Sequence, residues 1–121
     1  TDYTSTIIGT PHYIAPEILQ GKGYSLSCDY WSLGICLYEM FYGNYPFGVF
    51  ATEVIEIYKD ILNKDYAVPS NQAYEAVNGL IGDLLHKKPN SRLCNAHLLK
   101  KRPFFKGFDW DKLIDFQKSK I

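Results

Sequence analysis

Glu39 is the ionisable residue whose setting most needs a chemical explanation. It lies near the end of a run, Tyr30 to Tyr42, that is otherwise apolar on nearly every side. Burying an unpaired carboxylate is costly, so this one requires a partner. One source is a lysine or arginine elsewhere in the fold. A second group able to do chemistry is the hydroxyl cluster Thr1, Thr4, Ser5 and Thr6. These are either ordinary solvated side chains or targets of phosphorylation, which would add about −1.5 to −2 charge. Ile7 and Ile8 follow, as core residues or as an apolar receiving surface. A metal centre is not expected. His12, His86 and His97 lie far apart and share no ligand spacing with Cys28, Cys36 and Cys94.

The elements that must hold these groups are helical. Residues 1–23 are rich in Thr, Ser, Gly and Pro and read as a loop, with a short turn from Pro16 to Gln20 because proline fits a first helical turn. Ser27 is the expected N-cap of a helix running to Tyr42, with Asp29 in its first turn. A segment apolar all round, with Trp31, Leu33, Ile35, Leu37 and Met40, is expected to be buried on every side. Thr52 is the expected cap of a second helix with a stripe of Val54, Ile57, Tyr58, Ile61 and Leu62. Val77, Leu80, Ile81, Leu84 and Leu85 repeat the helical spacing, stopped by Lys87-Lys88-Pro89 with its cations at the negative end. Asn95 caps a last short helix through Lys101. No alternating strand pattern occurs, so the class is all-α.

Composition narrows the function. Of 121 residues, 46% are hydrophobic and 16% aromatic, as in a buried globular segment. Thirteen basic and thirteen acidic residues cancel, which argues against a nucleic-acid binder. Three cysteines without C-x-x-C spacing exclude a disulfide framework and suit a reducing cytoplasm. No apolar run reaches the ~18–20 residues of a membrane helix. The chain opens on Thr1 and reads as a piece preceded by further sequence.

Four features in order carry a resemblance: Gly9-Thr10-Pro11-His12-Tyr13-Ile14-Ala15-Pro16-Glu17, then Asp29-Tyr30-Trp31-Ser32-Leu33-Gly34, then Tyr45-Pro46-Phe47, then an isolated Arg92. Ala15-Pro16-Glu17 is the signature that closes the activation segment of protein kinases. The whole chain resembles the second half of a protein kinase C-terminal lobe: the end of the activation segment plus about four helices. Gly9-Thr10-Pro11 implies Ser/Thr specificity. The finer resemblance, through Gly21-Lys22-Gly23-Tyr24-Ser25 and Phe108-Asp109-Trp110-Asp111-Lys112-Leu113, is to cyclic-nucleotide-dependent kinases, especially cGMP-dependent ones of the protozoan kind. Residues 1–23 would end the activation segment, 24–103 form the helical lobe, and 104–121 a C-terminal extension.

The resemblance implies roles. Thr6 is the activation-loop phosphosite. Ile7, Ile8, Gly9, Thr10 and Pro11 form the loop receiving the residue after the target Ser/Thr, with Thr10 positioning the substrate hydroxyl. Glu39 takes a substrate arginine through a charge-assisted contact. His12 stands where the best-known relatives carry an acid, so a distal arginine contact is not implied. Glu17 and Arg92 form a buried ion pair, and Asp29 supports the catalytic loop. Trp31, Tyr13 and Trp110 are packing aromatics.

The activity implied is transfer of the ATP γ-phosphate to Ser/Thr of proteins with Arg/Lys nearby, with ATP and Mg as cofactors of the complete kinase. The catalytic-loop Asp, the D-F-G triplet and the Gly-rich loop belong to that reaction, and none occurs in this sequence. The chain alone is therefore expected to be inactive and to depend on a missing N-terminal half. Its apolar helix surfaces are expected to drive self-association. The alternative is a non-catalytic all-helical interaction module.

Overall fold

The computed structural model describes residues 11–69, 72–107 and 109. Among them every regular element is helical, and the all-α class holds. Five α-helices follow one another: α1 (Pro16–Leu19), α2 (Leu26–Tyr42), α3 (Val54–Asn63), α4 (Glu75–Leu84) and α5 (Ala96–Lys100). Single 3-10 turns, Pro11–Tyr13, Gln72–Tyr74, Pro89–Ser91 and Pro103–Phe105, link or flank them.

Local chemistry sets the boundaries. Pro16 opens α1, where its missing N–H costs nothing. α2 begins two residues earlier than expected. Ser25, in extended backbone, is its N-cap, and Ser27 lies inside the first turn. Neither hydroxyl caps the helix, because the two bond each other at 2.8 Å. Asp29 does sit in the first turn. α2 ends where Gly43 adopts φ 75° and donates its N–H to the Glu39 carbonyl at 2.8 Å, a left-handed cap that favours glycine.

Glu53, not Thr52, is the N-cap of α3. The Thr52 N–H instead donates to the Glu56 carboxylate at 2.9 Å, so the acid reaches back past the cap. The stripe on α3 is also narrower than expected: Ile57 and Ile61 are buried, while Val54 is exposed. Asn95 caps α5 as expected, its side chain accepting from the Leu98 N–H at 3.0 Å. That helix stops at Lys100 rather than Lys101.

The core lies between α2 and α4. Val77, Leu80, Ile81, Leu84 and Leu85 are all buried and meet Trp31, Ile35 and Tyr38 of α2. Trp31 is wholly enclosed and stacks on Phe47 at 5.7 Å between ring centres. Burying one such side chain contributes on the order of 1.5–3 kcal/mol. The expectation that α2 is covered on every side does not hold: Cys36 and Met40 face outward, Met40 at 73% exposure. α2 is buried around most of its girth, by α4 and by the Pro11–Tyr13 turn among others, and leaves one open stripe at Asp29, Cys36 and Met40.

Candidate functional site

Glu17 and Arg92 meet across 75 residues of sequence. Arg92 Nη1 donates to Glu17 Oε2 at 2.6 Å and Nη2 donates to Oε1 at 2.9 Å, a bidentate pair in which both residues are buried. α1 supplies the acid and the turn after Pro89–Ser91 supplies the base. Ser27 Oγ and Cys28 Sγ also donate to Glu17 Oε2, at 3.3 and 3.4 Å. Burial alone would raise the Glu17 carboxyl, but the hydrogen bonds from Arg92 and its charge override this and hold it below its ordinary value. Burial pushes the Cys28 thiol up, so it serves as a neutral S–H donor.

The second constellation is polar and partly open. The Pro11–Tyr13 turn lies over α2, and Ser32 Oγ donates to the Tyr13 carbonyl at 3.3 Å. The Tyr13 hydroxyl donates to Glu39 Oε1. That hydrogen bond, then burial and the Glu39 charge, drives the phenol far above its usual ionisation range. Tyr45 stands edge-on to Tyr13 at 5.8 Å and stacks on His12 at 4.0 Å. A half-buried carboxylate is thus oriented by a phenol whose ring packs edge-on to Tyr45. Among the described residues no lysine or arginine pairs with it.

A model of the family described as protein kinase domain matches residues 1–105. The chain belongs to the protein kinase domain family. It is 42% identical over 119 residues to a RAC family serine/threonine-protein kinase homolog of Dictyostelium discoideum, covering 98% of this chain and 26% of that protein. It is also 42% identical to a cGMP-dependent protein kinase of Toxoplasma gondii, covering 89% of this chain and 11% of that protein. Serine/threonine-protein kinase gad8 of Schizosaccharomyces pombe is 42% identical over 93% of this chain and 20% of its own length. The chain therefore spans about a quarter or less of these kinase relatives.

Within this kinase domain segment, Asp29 is exposed and accepts a hydrogen bond from the Tyr24 hydroxyl at 2.5 Å. Pro11 opens the turn that carries Tyr13. Thr6, Ile7, Ile8, Gly9 and Thr10, and Trp110, lie outside the described residues. The structure brings Glu17 to Arg92 and Tyr13 to Glu39. Asp29 is bonded to Tyr24 and not to Glu17 or Arg92.

Tyr13 does more than pack, and sequence reading missed it because a phenol in an aromatic-rich chain carries no mark of its acceptor. Lys87 was also misplaced. Rather than serving the end of α4, its Nζ donates to the Ile61 carbonyl at 2.6 Å and sits 4.1 Å from the Phe47 ring centre. Burial lowers its pKa. Among the described residues, no group of three or more His, Cys, Asp or Glu side chains could hold a metal ion. No helix among them is long and apolar enough to cross a membrane.

Proposed function

We propose that this chain is the substrate-binding and scaffold portion of a Ser/Thr protein kinase that transfers the ATP γ-phosphate to Ser/Thr near arginine or lysine. The observation that carries the reading is Glu39: its Oε1 is committed to Tyr13, and no cation of the described chain neutralises it. A substrate guanidinium supplies the missing charge, through hydrogen bonds stronger than neutral ones. Tyr13 fixes the carboxylate rotamer before the substrate arrives, which lowers the ordering cost of binding.

In the same reading, residues 1–23 close the activation segment, 24–103 form the helical lobe and 104–121 extend it. Thr6 receives the activating phosphate, Ile7, Ile8, Gly9, Thr10 and Pro11 receive the peptide, and Thr10 positions its hydroxyl. Glu17 with Arg92 ties the segment to the helices, and Asp29 supports the catalytic loop. ATP and Mg bind elsewhere than the described residues, whose donor set does not fit a metal. The three free thiols favour action in the cytoplasm. Dependence on cGMP is the finer proposal. It is supported by the short motifs around Gly9–Leu19 and Phe108–Leu113 and by similarity to the Toxoplasma gondii kinase.

The test is Glu39→Gln in the complete natural protein containing these residues, which keeps the shape and the Tyr13 contact. Phosphorylation of an arginine-containing serine peptide is expected to fall roughly tenfold or more in kcat/KM, while a peptide with alanine at that arginine changes little. Unchanged discrimination between the two peptides would overturn the assignment. Stimulation of the same assay by cGMP tests the finer proposal.

A further inference from the structure

Lys87 stands just past the end of α4, yet its ammonium serves a different helix. Its Nζ donates at 2.6 Å to the carbonyl of Ile61, in the last turn of α3. Carbonyls in the last turn of a helix have no partner within it, and this side chain supplies one. The same Nζ lies 4.1 Å from the centre of the Phe47 ring and 5.9 Å from that of Trp31. Phe47 stacks on Trp31 at 5.7 Å with the rings 10° from parallel, and the Arg92 guanidinium lies 5.1 Å from the Trp31 ring centre. Arg92 in turn holds Glu17 of α1. Two cations thus contact one stacked pair of buried rings, and the chain of contacts runs from the end of α3 to α1.

α3 also packs directly on α1 and on the Pro11–Tyr13 turn. That turn carries the Tyr13 hydroxyl to Glu39. From this geometry we infer that Lys87 is a positioning residue for peptide recognition: by fastening the end of α3 to Phe47, it holds the Pro11–Tyr13 turn, and so Tyr13 and Glu39, in the arrangement that receives the substrate. Its bearing on the substrate rests on the Glu39 reading; its hold on the turn does not. Ile57 and Ile61 are the buried residues of α3, so a polar tether at the end of that helix adds to a small apolar anchor. A lysine serving only the negative end of α4 has no reason to place its charge against two rings and a carbonyl of another helix. Cation–π contacts and hydrogen bonds strengthen away from water; Lys87 is half-buried, and Phe47 and Trp31 are enclosed. Asp65 and Asp60 favour its charged form against the cost of burial, and Asp60 also pairs with Lys64 at 3.6 Å. A guanidinium keeps both the ring contact and the donor, whereas a thioether keeps only the apolar packing.

The test compares Lys87→Met and Lys87→Arg in the complete natural protein containing these residues. Amide hydrogen exchange at His12, Tyr13 and Ile14, and at the end of α3, is expected to quicken about three- to tenfold in Lys87→Met and to return toward wild type in Lys87→Arg. KM for the arginine-containing serine peptide is expected to rise about three- to tenfold in Lys87→Met, with kcat held within about twofold, and Lys87→Arg is expected to restore it. Unchanged exchange at the turn would overturn the inference. So would quickening spread evenly over α2 and α4, which marks a general loss of stability, or an unchanged KM beside a full Glu39→Gln effect. If Glu39→Gln leaves peptide discrimination unchanged, the Glu39 reading fails by itself, and the exchange pattern still decides whether Lys87 holds the turn.

Discussion

Arg92 uses all of its donor capacity. Its guanidinium makes five hydrogen bonds: two to Glu17, one each to the carbonyls of Ser27, His86 and Lys87. A planar fork with five N–H groups can do this; a lysine ammonium cannot. Such a pair need not add net stability, yet removing one member strands the other in the interior. Arg92→Met is expected to lose about 3–5 kcal/mol in urea denaturation. Arg92→Lys should lose a substantial part of that, since three backbone carbonyls also lose donors. Adding Glu17→Met to Arg92→Met should recover stability, because the stranded carboxylate is gone. The pH dependence follows in sign. Glu17 titrates lower in the folded chain than in the unfolded one, so its contribution is present above the ordinary carboxylate range and is lost as pH falls through the folded value. Glu17→Gln should flatten that part of the acid limb. An acid limb identical in wild type and Glu17→Gln would show that the carboxylate is not held by Arg92 in solution.

At the scale of elements, the crossing of α2 and α4 depends on Gly34. A Cβ there would lie 2.7 Å from Leu85 Cδ2 and 2.9 Å from Leu84 Cβ. The first neighbour could turn aside, but the second is fixed to the backbone of α4, so the helices must part. Gly34→Ala improves helix propensity by about 1 kcal/mol. Overpacking costs about 1–3 kcal/mol, and the net effect is expected to be destabilising. A neutral or stabilised variant in urea denaturation would mean that α2 and α4 separate easily. That contact was not legible in the sequence, where Gly34 is one glycine in an apolar run. The α4 core was legible, because five apolar residues at helical spacing leave one face to bury. Caps were read to within one or two residues: Ser27 and Thr52 have the right chemistry, but backbone geometry decides between Ser25 and Ser27, and at Thr52 the Glu56 carboxylate takes the N–H while Glu53 is the cap. Glu39 was legible as a charge in need of a partner. Its phenolic partner Tyr13 was not, because a separation of 26 residues carries no periodic signal.

At the scale of the whole molecule, the described chain leaves apolar surface uncovered where it is contiguous. Val49, Phe50, Val54 and Ile55 are all exposed around the start of α3, Phe50 at 92%. Leu26 and Met40 lie open on α2. Single exposed apolar residues are ordinary, but a run of them at one place marks an interaction surface or a liability. Net charge offers no counterweight, since thirteen positive and thirteen negative residues cancel and charge repulsion between copies is weak. The 121-residue chain on its own is therefore expected to self-associate. Light scattering across a dilution series should show species above the monomer mass of 13.9 kDa that dissociate as concentration falls. Phe50→Glu with Ile55→Glu, both on exposed positions, should shift the population toward monomer without loss of helix by circular dichroism. A strictly monomeric wild type at every concentration would refute the prediction. Oligomers that persist unchanged in the double variant would move the interface to the α2 face around Met40.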